Sequence, residues 1–91
     1  MRMGIVSFLV GGRKIRFKEP LMLENEMVAG TLFVSRRELN LSAYGSSWSE
    51  CNAQIREDLA MLWEEFALTP DEELTKGAIA LKEKLLGMVE K

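Results

Sequence analysis

Carboxylates are the side chains with most chemistry to offer in this sequence. Glu57, Asp58, Glu64 and Glu65 fall within one helically patterned stretch, and paired acids at the right separation hold magnesium for phosphodiester hydrolysis. Their spacing argues against that use. Glu57 and Glu64 are seven residues apart, as are Asp58 and Glu65, so on a helix each pair shares a face with roughly 10 Å of rise between its members, too far for one ion to bridge. The four are expected to form a solvated acidic flank, with no metal and no other cofactor. Histidine is absent, which removes the commonest general base, the usual triads and most zinc sites. Cys51 lies inside an apolar helical pattern without the basic neighbours that would make it a reactive thiolate, and reads as a small buried residue. Ser42, Ser46, Ser47 and Ser49 lack a base and do not sit in a Gly-x-Ser-x-Gly elbow. No catalytic residue emerges, so the protein is not expected to be an enzyme.

Arg13, Lys14, Arg16 and Lys18, with Arg36 and Arg37 as companions, are the cations that could meet a phosphate backbone. Ile15 and Phe17 alternate with them, which gives a strand one apolar and one charged face and turns Phe17 away from any base it might stack on. Lysines on an exposed strand also deter edge-to-edge pairing, a simpler role. With a formal net charge of -2 over 91 residues the chain exerts no general pull on nucleic acid. A basic protein partner suits it better, met by the acidic flank of Glu57, Asp58, Glu64 and Glu65, and nucleic-acid binding through Arg13, Lys14, Arg16 and Lys18 is the alternative.

The elements that must carry these residues divide the chain once, into a strand-like part (1–45) and a helical part (46–91) of a single α+β domain. Ile5 to Val10 is an apolar run, and Gly11-Gly12 then supplies two residues able to take positive φ in a hairpin turn. Lys14 to Lys18 returns antiparallel, and Pro20, which has no amide donor, marks an edge or a break before Leu21 and Leu23. Glu24-Asn25-Glu26 is expected to turn the chain. Met27 to Val34, apolar on both faces, is expected to be a central strand, and Leu39 to Tyr44 a shorter one ending at Gly45. A three- to four-stranded antiparallel sheet followed by two helices results.

Ser47-Trp48-Ser49-Glu50 is a capping box, so a helix starts there. Its apolar stripe is Trp48, Cys51, Ile55, Leu59, Leu62 and Phe66, widened by Trp63. Thr69-Pro70 and Thr75 are rival caps for the second helix. Leu74, Ala78, Leu81, Leu85 and Met88 form its stripe, broadened by Ile79, Leu86 and Val89. That is more apolar face than one sheet needs, so Leu81, Leu85 and Met88 are expected at the interface of a homodimer. The lone cysteine implies a reducing compartment, and no stretch approaches the ~20 apolar residues of a membrane span. A cytoplasmic location is expected.

The run Ala43-Tyr44-Gly45-Ser46-Ser47-Trp48-Ser49-Glu50-Cys51, followed by Gln54-Ile55-Arg56-Glu57-Asp58-Leu59, resembles the HicB antitoxin family. There a glycine closes the third strand and a Ser or Thr caps a helix of the form x-x-E-A-x-x-N-I-x-E-A-I, which Ser47, Glu50, Ile55, Glu57 and Leu59 match. Phe33-Val34 and Glu38-Leu39 are similar to the family's second strand and its Pro-Glu-Leu-Pro-Gly connection, with Asn40 in place of the Pro-Gly pair. Cys51 stands where alanine is usual. The likeness spans residues 15 to 67, and the tail Leu62 to Lys82 is similar to small archaeal proteins of the same type. It implies a partial RNase H-like fold without its catalytic carboxylates, acting as an oligomer that neutralises a small basic RNase toxin of the HicA type. Members of the family often carry a separate C-terminal DNA-binding domain, where this chain ends in one amphipathic helix.

Overall fold

The computed structural model describes residues 3–90. Four antiparallel strands precede two α-helices, the α+β order expected from the sequence. The strands β1 (Met3–Val10), β2 (Arg13–Val28), β3 (Thr31–Arg36) and β4 (Leu41–Gly45) lie side by side in chain order. Helices α1 (Trp48–Leu62) and α2 (Lys76–Met88) complete the chain.

Two turns fold the sheet. Gly11 and Gly12 take positive φ, as the hairpin after β1 requires. The second turn falls at Ala29-Gly30, also at positive φ, and not at Glu24-Asn25-Glu26. Those three residues instead continue β2, with Glu24 opposite Ser35 and Glu26 opposite Phe33. Every residue from Glu24 to Val28 is exposed. No side chain of this arm is buried on either face, which is why its polar sequence imitates a turn. Met27 to Val34 is therefore the two arms and tip of a hairpin, and no single central strand.

Pro20 lies within β2, where the pairing with β1 slips. Ile5 faces Leu21 and Ser7 faces Arg16, which leaves Phe17, Lys18, Glu19 and Pro20 opposite Val6 alone. A residue without a donor is tolerated at such a bulge. Beyond it the first half of β2 has β1 on one side and no strand on the other. The chain's last described residues fill that place. Val89 bridges Phe17, and the Glu90 amide donates to the Arg16 carbonyl at 2.7 Å.

Both helices cover one face of the sheet. Ile5, Phe8, Phe17, Leu21, Leu32, Val34 and Ala43 point into a core that Cys51, Ile55 and Leu59 of α1 and Leu85 of α2 complete. Ser47 caps α1, its hydroxyl accepting from the Glu50 amide at 3.3 Å, while the Glu50 carboxylate reaches back to the Ser46 amide at 2.8 Å. A π-helical turn, Trp63–Ala67, prolongs α1 and seats Trp63 edge-on against Phe8 with ring centroids 6.0 Å apart. Between the two rival caps Thr75 prevails, its hydroxyl accepting from Ala78 at 3.2 Å; Pro70 precedes only the single turn Asp71–Glu73. No helix among the described residues is long and apolar enough to cross a membrane.

Candidate functional site

The four carboxylates expected to act together are divided by the fold. Asp58 and Glu65 border a shallow groove of about 260 Å³ whose other walls are Asn40, Leu41, Met61 and Leu62. Glu57 and Glu64 are exposed and lie outside it. The groove exists because Asn40 takes a left-handed conformation (φ 55°), its amide donating to the Arg37 carbonyl at 3.0 Å, and so delivers the start of β4 beneath α1. Asparagine is among the few residues that adopt that conformation readily.

Asp58 is half-buried, and desolvation first and the charge of Glu57 second push its pKa up from the ordinary aspartate value. Met61 is 55% exposed in the middle of this flank. An apolar floor between two carboxylates suits a lysine or arginine, whose aliphatic stem lies on Met61 and Leu62 while its charged head meets the acids. Among the described residues no group of three or more Cys, Asp or Glu side chains is placed to hold a metal ion.

Lys14, Arg16 and Lys18 do share the solvent-facing side of β2, opposite buried Ile15 and Phe17. Arg13, Lys14 and Arg16 border a cleft of about 300 Å³, but Glu90 stands in it with them. Arg36 is held elsewhere, donating to the Met22 carbonyl and to Glu38, each at 3.0 Å. Arg37 lies beside Glu24 and Glu26 in a different cleft. The expected companions thus add little to the cationic strand.

Leu85 is 1% exposed, so it is spent within its own chain's core, and Leu81 and Met88 pack partly against that core. Part of the broad stripe of α2 is covered because the helix lies on the sheet and also beside the π-helical turn, while Ile79, Leu81 and Met88 stay half-buried. Leu86 is the large apolar side chain that α2 leaves exposed.

Sequence reasoning missed one surface feature. Phe33 and Tyr44, neighbours across β3 and β4, stack with centroids 6.0 Å apart on the sheet face away from the helices. The alternation of Tyr44 with Leu41 and Ala43 put it on the outer side, but only the strand register brings Phe33 next to it. Compared with models of known protein families, with curated proteins and with solved structures, the chain matches none of them.

Proposed function

We propose that this chain is a non-catalytic binding module for a small basic protein, the role that a HicB-type antitoxin plays toward its toxin. One observation carries the reading: a shallow groove on the flank of α1, floored in part by Met61 and Leu62, is edged by Asp58 and Glu65, and Asp58 is held there at an electrostatic cost. A partner's cation would relieve that cost, and Met61 and Leu62 would supply the desolvated centre from which protein interfaces draw most of their affinity. Charge complementarity then speeds and orients association. Binding of nucleic acid through Arg13, Lys14, Arg16 and Lys18 is less well supported, because Glu90 sits among those cations.

The test is co-purification of the tagged chain with the product of an adjacent gene encoding a small basic protein. A stable complex is expected, weakened about a hundredfold or more by Asp58→Lys combined with Glu65→Lys. Reversing Lys14 and Arg16 to glutamate should leave it intact. No complex, or one indifferent to the groove charges, would overturn the proposal.

A further inference from the structure

The sheet has several places where a strand could be added; among the described residues the chain covers most of them itself, and the side of Glu24–Val28 away from β3 carries two glutamates, which discourage pairing. β3 is paired on both sides. The open side of β2's first half is taken by Val89 and Glu90. β4 is only five residues long, and α1 reaches over its outer edge, where the Gln54 side-chain amide donates to the Tyr44 carbonyl at 2.8 Å. β1 is different. It is eight residues long, stands at the opposite edge, and among the described residues its backbone pairs only with β2.

Edges that are meant to stay single are protected by charge, proline or shortness. β1 has none of these: from Met3 to Gly12 there is no charged residue and no proline. Val6 and Leu9 moreover stand 58% and 63% exposed on it. We propose that β1 pairs antiparallel with β1 of a second copy about a twofold axis, joining two four-stranded sheets into one continuous eight-stranded sheet.

A second copy is the occupant that the charge pattern selects. An uncharged strand that meets itself buries no unpaired charge, whereas pairing with the basic partner argued above would set cations against a strand that offers no carboxylate. Isologous contact is also self-complementary without further design. A twofold axis normal to the sheet leaves both helical layers on the same side, so the dimer shows two α1 grooves in one direction. The inference rests on the sheet edge and stands whether or not the groove binds a basic protein. β1 also precedes residue 15, where the family resemblance begins.

Sedimentation equilibrium of the purified chain tests this. Twice the chain mass is expected, and Val6→Lys with Leu9→Lys should weaken the dimer about a hundredfold or more, because four like charges then face each other across the seam. Both residues are exposed, so the folded monomer should persist by circular dichroism. Leu86→Lys on α2 should leave the dimer unchanged. Hydrogen exchange of the unaltered chain supplies a readout that needs no variant: β1 amides facing away from β2 should be protected at high protein concentration and exchange freely on dilution. A monomer at hundreds of micromolar, a dimer that survives both lysines, one that Leu86→Lys dissolves, or β1 protection that ignores concentration would each overturn the proposal.

Discussion

Asp58 shows how a single side chain can oppose the fold that carries it. Its pKa is raised, first by desolvation and then by Glu57, so the folded chain holds that proton more tightly than the unfolded chain does. The stability this confers is full below the ordinary carboxylate pKa and is lost as pH rises through the higher folded value. Asp58→Asn, which imitates the protonated form, should therefore raise the melting temperature at pH 7 and change it little at pH 3. Thermal unfolding at both pH values checks this, and the same variant should bind the basic partner more weakly. Cys51 is a simpler case. Burial, and then the charge of Glu50, push its thiol pKa up, so it should resist iodoacetamide in the native chain at pH 8 and react once urea unfolds it, as mass spectrometry would show. The sequence already marked Cys51 as buried, because its place in the α1 stripe depends on local spacing alone. It could not say which of the four acids share a groove, since that depends on Asn40 and Leu41 arriving from a distant part of the chain.

Among the elements, the turns and the helix starts are where local residues decide most, and they differ in how openly they announce themselves. Gly11-Gly12 and the Ser47 cap were both legible, the one because two glycines leave few alternatives and the other because the serine and glutamate stand at the required separation. Ala29-Gly30 was not, since alanine seldom takes positive φ, and the polar run before it looked the better turn. That misfit is measurable. Ala29→Asn, a residue far more at ease in a left-handed turn, should stabilise the chain by about 0.5 to 1 kcal/mol in urea unfolding. At the start of α1 the tolerance runs the other way: a Cβ on Gly45 would lie 2.5 Å from Glu50 Oε2 and 2.9 Å from Glu50 Cβ. Gly45→Ala should cost about 1 to 2 kcal/mol by displacing the carboxylate that caps the helix, and less once Glu50 is already alanine.

For the molecule as a whole, the α+β plan was legible because alternation and helical spacing each persist over many residues. The closure at residues 89–90 was not. Val89 was assigned to the α2 stripe, whereas it leaves the helix and pairs with the sheet, and no local signal distinguishes those two ways of being buried. Val89→Ala should cost about 2 kcal/mol, read as an earlier urea midpoint without a change in slope. The placement of this contact also bears on synthesis. Because β2 is made well before Val89 and Glu90, a nascent chain must hold that side of Arg13–Lys18 open to water until Glu90 has emerged. That side of the strand therefore closes only after the second helix has been made, and the three cations alternating with Ile15 and Phe17 are what keep the waiting strand from finding the wrong companion.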